Sequence, residues 1–344
     1  MECFSLLRSD VPALINHLGD FGEVIAPHGK GDVSYSFEVV KDNSEVVLDY
    51  NRTLLPLKKM FLPPVEKLMD FSLKEVTYEK VDVAITPRVF FAVHSYEMQS
   101  ILRLDHSMLS GSAESNYFKR RQSSRFVGIS FKPDEFHFSD SVGIAIEDME
   151  GFDLFLNEVD GDFQLYVITD HGQTLIDGFD RKELTTPEIV DGREFKKKIR
   201  YHYNRLPRVF QYAYHSDVWA DVASQCVGCG ACNLTCPTCF CFDVQDEVTV
   251  TAEDGMRQRN WDSCMLSTFA EVAGGENFRE KTVNRTRHRL YRKFKYITDE
   301  EGLPWCVGCG RCTAFCPAGI SLPDIVNELI QEDEKAQYHR TVRV

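Results

Sequence analysis

Eleven of the twelve cysteines lie between Cys226 and Cys316. Cys226, Cys229, Cys232 and Cys236, followed by Pro237, give the spacing C-x2-C-x2-C-x3-C-P. Cys306, Cys309, Cys312 and Cys316, followed by Pro317, repeat it. Three thiolates set two residues apart on a tight turn can wrap one face of an iron–sulfur cubane. Gly228, Gly230, Gly308 and Gly310 let the backbone come close to inorganic sulfide. Structural zinc also uses C-x2-C pairs, but it takes four ligands and gives no role to a third cysteine followed by x3-C-P. The doubled spacing predicts two [4Fe-4S] clusters.

The fourth cysteine of each run sits beyond the turn. In two-cluster ferredoxins it ligates the other cluster. That rule assigns Cys226, Cys229, Cys232 and Cys316 to one cluster and Cys306, Cys309, Cys312 and Cys236 to the second. Swapped ligation would staple the two runs into one domain. Cys239, Cys241 and Cys264 are left over. A free cysteine is a common small buried residue, but three beside two clusters suggest a further metal site, such as a third cluster completed by a ligand from elsewhere.

The elements that must position these thiols read as two domains, at roughly 100–200 residues per domain for a 344-residue chain. The cysteine distribution places the boundary near residue 215. Residues 1–215 read as a mixed α/β domain, and residues 216–344 as a mainly helical, ferredoxin-like domain with a long insertion, making the chain α+β. In the first, Val33–Val40 alternates at period two and reads as a strand, pairing with Glu45–Tyr50. Arg88–Val93 is a continuous apolar run, which suits a buried strand. The segment after it has helical spacing at Met98, Ile101, Leu102 and Leu109. "RFVGISF" and "FQLYVIT" read as strands, with Asp170–Gln173 turning the second into a hairpin. A helix is expected from Asp217, leading into Cys226.

The insertion carries a basic run, Arg285–Tyr296, in which Val283, Leu290, Phe294 and Ile297 follow helical spacing. One face can pack while the charges face outward. Positive charge near anionic clusters would raise their potentials or dock an acidic partner. Ser321–Gln337 reads as an amphipathic helix packing through Ile325, Leu329 and Ile330.

Other chemistries find little support. The net charge of -14 argues against nonspecific nucleic-acid binding. No apolar run is long enough for a membrane span. The first twenty residues lack the pattern of a signal peptide, so a cytoplasmic location is expected. "HGKGD" and "AGGEN" are turns rather than nucleotide loops, and there is no H-E-x-x-H. His94 reads as a hydrogen-bonded histidine at a strand end, and Cys3 lacks the neighbours of a nucleophile.

"CVGCGACNLTCPTCFCFDV", "RNWDSCM", "AGGENFR", "RTRHRLYRKFKY" and "CVGCGRCTAFCP" resemble the dicluster iron–sulfur subunit family. That family includes sulfhydrogenase beta subunits and the iron–sulfur subunit of anaerobic sulfite reductase. The strong similarity runs from Trp219 to about Asp324, and a weaker one includes Leu48–Phe71. The resemblance implies electron transfer between a flavin-bearing, NAD(P)H-reactive subunit on one side and a second redox subunit, of hydrogenase or heterodisulfide-reductase type, on the other. Relatives often carry "VRPCD" and further cysteines in the N-terminal domain. Here Tyr96, Phe131, Phe136 and Phe138 stand at the matching places, and aromatic rings do not ligate iron. The expectation is a chain with no N-terminal cluster, which weakens the likeness to the cysteine-bearing sulfite reductase subunit but leaves that subunit among the alternatives. Besides the electron-transfer subunit, two classes stay open: a self-contained redox enzyme with a substrate at the Cys239, Cys241 and Cys264 site, and an assembly scaffold whose clusters are structural.

Overall fold

The computed structural model describes residues 2–184 and 193–342. In chain order the strands are β1 (Glu2–Leu6), β2 (Glu23–Gly29), β3 (Tyr35–Val39), β4 (Val65–Ser72), β5 (Thr77–Lys80), β6 (Arg88–Val93), β7 (Ser124–Ile129), β8 (Leu154–Val159), β9 (Asp162–Val167), β10 (Lys182–Glu183), β11 (Phe242–Val248) and β12 (Asp254–Trp261). The helices are α1 (Val11–Leu18), α2 (Ser95–Leu109), α3 (Ser115–Gln122), α4 (Asp170–Leu175), α5 (Leu206–Tyr212), α6 (Val218–Gln225), α7 (Ala231–Leu234), α8 (Thr282–Tyr291), α9 (Ile297–Glu301), α10 (Arg311–Ala314) and α11 (Leu322–Val342). Residues Arg292–Tyr296, between α8 and α9, form a π-helical turn.

Two compact units emerge. The first comprises Met1–Leu57, Ile85–Lys197 and Val307–Cys309, and the second Lys58–Ala84, Lys198–Cys306 and Gly310–Val344. The long segment of the first unit ends at Lys197. Residues 58–84 go with the second unit because β4 pairs antiparallel with β12.

The first unit is built on a mixed eight-stranded sheet of order β10-β1-β9-β8-β7-β6-β2-β3. Strands β2, β6, β7 and β8 run parallel. Parallel strands are covered on both faces and need apolar residues at successive positions, which Arg88–Val93 supplies: Val89 to Val93 are all buried. Helix α1 presents Val11, Leu14, Ile15 and Leu18 to the core, an apolar stripe at helical spacing. Phe91, Val127, Leu154, Leu156, Leu165 and Ile176 pack into the same core.

Two local expectations fail. Strand β3 pairs with β2, and residues 45–50 form no strand beyond a single bridge from Val46 to His28. Tyr50 is instead drawn inward, where its hydroxyl donates to the Ala92 carbonyl at 2.8 Å. The expected hairpin at 170–173 is helix α4. Thr169 caps it by accepting from the Gly172 amide at 3.0 Å, and that capping bond favours a helix over a turn.

Tyr96, Phe131 and Phe138 are buried in this unit, and Phe136 is half-buried beneath the Arg52 guanidinium. His94 stacks between Tyr50 at 4.0 Å and Phe131 at 4.8 Å. His94, Tyr96 and Phe131 form one packed group of rings in the first unit. Arg52 pairs with Asp134 and donates from Nε to the Cys309 carbonyl at 3.2 Å. The Phe138 amide donates to the Gly308 carbonyl at 2.9 Å.

The second unit combines α5 to α11 with a four-stranded antiparallel sheet of order β11-β12-β4-β5. The expectation of a mainly helical domain did not include this sheet. Its edge strands β5 and β11 are exposed along their whole length. Glu79, Lys80, Asp243, Asp246 and Glu247 put charge on those edges, which discourages unspecific strand pairing. Trp219, Phe210, Tyr291 and Phe294 form an aromatic core between α5, α6 and α8. Ile325, Leu329 and Ile330 of α11 are buried as expected.

Gly308 has φ +64°, and a Cβ there would lie 2.4 Å from the Ser139 Cα. Gly302 has a similar φ but open space around it. Gly302→Ala should cost only the left-handed backbone penalty of about 1–2 kcal/mol. Gly308→Ala should cost clearly more, because neither backbone can yield. Thermal unfolding of the two variants side by side checks this.

Candidate iron–sulfur centre

The two cysteine runs have the same backbone course. Helix α6 ends at Gln225, and Cys226 is already extended. Gly228 and Gly230 then take φ of 68° and 76°, and one helical turn, α7, carries Cys232. In the second run Gly308 and Gly310 take 64° and 74°, and α10 carries Cys312. At Gly230 the left-handed turn also lies close to Ser263, 3.1 Å from where a Cβ would be.

Both runs contribute to one cavity in the second unit. Cys226, Cys229 and Cys232 line it together with Cys312 and Cys316, and Val222, Met265, Leu290 and Ile325 close it with apolar surface. The end of the first run is tied to the start of the second by reciprocal bonds. The Thr238 hydroxyl donates to the Trp305 carbonyl at 2.6 Å, and the Trp305 indole donates to the Thr238 carbonyl at 3.2 Å. Cys236 and Cys306 each flank this tie in the sequence.

The basic run is where expectation and structure part. Arg285, Arg289 and Lys293, spaced four residues apart, are buried rather than turned to solvent. Arg289 donates from Nε to Asn233 at 2.9 Å and from Nη2 to the Cys232 carbonyl at 3.0 Å. Lys293 donates to the Thr238 hydroxyl at 2.5 Å. Burial works against both charges, yet nearby thiols hold both pKa values above the ordinary range. For Arg289 these are Cys232, Cys312, Cys236 and Cys239; for Lys293 they are Cys236, Cys239 and Cys306.

Lys58 is a further buried cation, and sequence reasoning missed it. It donates to the Cys239 carbonyl at 2.5 Å and lies 4.2 Å from the centre of the Trp261 ring. Burial lowers its pKa, while the Cys239, Cys236 and Cys241 thiols oppose that. The available signal was a lysine set in the apolar stretch Leu54–Leu62, where a solvated charge is out of place.

Cys239, Cys241 and Cys264 come together on a second cavity of the same unit, about 360 Å³ in volume. Arg279, His288, Arg289, Arg292 and Lys293 line it too. Cys264 donates to Cys241 and brings it to about pKa 6 against burial, and itself titrates well above the usual thiol range for the same reason. Cys239 donates to Cys236 and so holds Cys236 far below that range. Asn233 Nδ2 donates to the Cys264 sulfur at 2.8 Å. Among the described residues, no three His, Cys, Asp or Glu side chains converge to hold a single metal ion. An iron–sulfur cluster is a different demand, because its thiolates are spread over several irons. The donor set fits it: thiols from both runs line one cavity, and buried cations stand ready to balance an anionic group.

A family model described as a 4Fe-4S dicluster domain matches residues 225–320. Over 328 residues the chain is 37% identical to sulfhydrogenase 2 subunit beta of Pyrococcus furiosus, covering 92% of this chain and 95% of that protein. The chain belongs to the dicluster iron–sulfur family of sulfhydrogenase beta subunits. No solved structure matches it. The family assignment accounts for both cysteine runs and the insertion between them. It covers the first unit as well, because the aligned length reaches far beyond the dicluster domain. No helix among the described residues is long and apolar enough to cross a membrane.

Arg289→Leu would leave Asn233 Oδ1 and the Cys232 backbone carbonyl without this donor. Each loss costs about 1–3 kcal/mol, so the variant should unfold at markedly lower denaturant concentration. Arg289→Lys should recover only part, since one amine does not span both acceptors. Denaturant titration of the three proteins measures this.

Proposed function

We propose that this chain is the electron-transferring iron–sulfur subunit of a multi-subunit oxidoreductase. It relays electrons between a flavoprotein subunit reactive with NAD(P)H and a second redox subunit. The observation that carries the reading is the single cavity lined by cysteines of both runs. Cys316 faces the same space as Cys226, Cys229 and Cys232, as swapped ligation requires. The second set is then Cys306, Cys309, Cys312 and Cys236. The relative's name, which makes it the beta subunit of a sulfhydrogenase, supports a role beside partner subunits.

The clusters supply one-electron carriers; the polypeptide supplies their surroundings. Arg289 and Lys293 place fixed positive charge beside the thiolates, favouring the reduced, more negative state. Val222, Met265 and Leu290 give the first set an apolar wall, while Cys229 stays exposed on its outer side. Arg52 fixes the Cys309 carbonyl from within the first unit. None of these groups performs bond chemistry, which fits a relay and leaves substrate turnover to the partners.

Ligand exchange between the runs makes a sharp genetic test. Cys226→Ser and Cys316→Ser should each remove about four irons, and the double variant should lose no more than either alone. Additive losses would sink the swapped assignment. The isolated chain should take electrons from a chemical reductant but leave NAD(P)H unoxidised until a flavoprotein subunit is added. Steady turnover of NAD(P)H by the chain alone would contradict the relay reading. Lys293→Met should lower the midpoint potential of the neighbouring cluster, measured by an EPR-monitored redox titration.

A further inference from the structure

The second cavity is not explained by two clusters. Three cysteines from two segments reach it: Cys239 and Cys241 just after the first run, and Cys264 beyond β12. At about 360 Å³ it falls within the roughly 300–1,000 Å³ of small-ligand sites, far above a packing defect. Its walls are cationic. Arg279, Arg289, Arg292 and Lys293 line it, and among the described residues none of the four has a carboxylate partner. The Arg279 Nε is buried without a hydrogen-bond acceptor. Arg292 lies over the Phe240 ring at 5.5 Å. Arg289 and Lys293 are buried and Arg279 and Arg292 half-buried, and a cation withdrawn from water needs a counter-charge. The polypeptide offers thiols here and no carboxylates, so the balancing charge must come through sulfur.

A mononuclear ion does not meet that need: Cys241 and Cys264 lie within hydrogen-bond reach of each other, but among the described residues no third His, Cys, Asp or Glu joins them around one point. A cubane does: it spreads its ligands, carries net negative charge, and takes thiolates in preference to thiols. It needs a fourth ligand. His288, on α8, lines the same cavity, and its ring meets Tyr296 only at 6.3 Å, with no hydrogen bond. Imidazole is an established substitute for thiolate on iron–sulfur centres.

We propose that Cys239, Cys241, Cys264 and His288 hold a third [4Fe-4S] cluster in this cavity. Binding takes all three sulfurs as thiolates, releases whatever protons they still carry and leaves the imidazole neutral. The site rests on the reading of the chain as an iron–sulfur protein, and it adds a relay centre with a mixed ligand set. Arg279 and Arg292 then have an anionic neighbour.

The test uses the full-length chain, purified without oxygen. Wild type should hold about twelve irons and about twelve sulfides. Cys264→Ser should reduce both to about eight. Cys241→Ser, at a half-buried position, gives the same readout should the buried 264 position not accept serine. Spin-echo spectra of the reduced protein should show a strongly coupled imidazole nitrogen, absent in His288→Gln and in His288→Cys. About eight irons in the wild type would overturn the third site and leave the two-cluster reading intact. About twelve irons surviving both cysteine variants would overturn it as well. A nitrogen coupling missing from the wild type, or unchanged in His288→Gln, would overturn the histidine ligand. A chain with zinc and no iron would overturn this site and the relay together.

Discussion

Much of the second unit is organised by positive charge buried beside sulfur. Arg289, Lys293 and Lys58 are withdrawn from water with backbone carbonyls, an amide and a hydroxyl as their hydrogen-bond partners. Those neutral contacts orient the cations but leave their charge uncompensated. The thiols complete the balance, and in doing so they couple the helix α8 and its π turn to the cysteine loops. A cluster protein needs such an arrangement because cubane and thiolates together are anionic at every accessible oxidation level. The same pairing explains why a chain of net charge -14 concentrates a basic run in the insertion between its two motifs.

The first unit serves a different end. Its mixed sheet is an ordinary covered sheet, yet the rings of Tyr50, His94, Tyr96 and Phe131 pack at the end of β6. This region offers stacked aromatic surface and a half-buried ion pair between Arg52 and Asp134. The packed rings give the position apolar bulk, and Arg52 ties it to the Cys309 backbone.

What the sequence made legible follows from how local each signal was. The cysteine spacing encodes a loop geometry within eleven residues, and the structure repeats that geometry at both runs. Arg88–Val93 announced a buried strand because its apolar run is continuous. The basic helix was misread for an equally physical reason. Helical periodicity identifies an apolar face, but it does not reveal that a charged face meets thiols rather than water. Nor could periodicity bring Lys58 to Cys239, or β4 to β12, since those contacts join residues far apart in the chain. The strand expected at 45–50 failed because Tyr50 found a buried acceptor at Ala92, a tertiary contact with no local signature.

The five-residue turn at Arg292–Tyr296 sets a spacing as well as a shape. A π turn holds one residue more than an α turn would, and each residue swings a helix by about 100°. Deleting any one of the five would let the regular repeat resume and carry Lys293 or its successors round the axis, away from Thr238. The reversal between β11 and β12 lies on the surface and could gain or lose residues at little cost. In homologous chains, then, length should drift freely at the tip of that hairpin and be frozen where the helix widens.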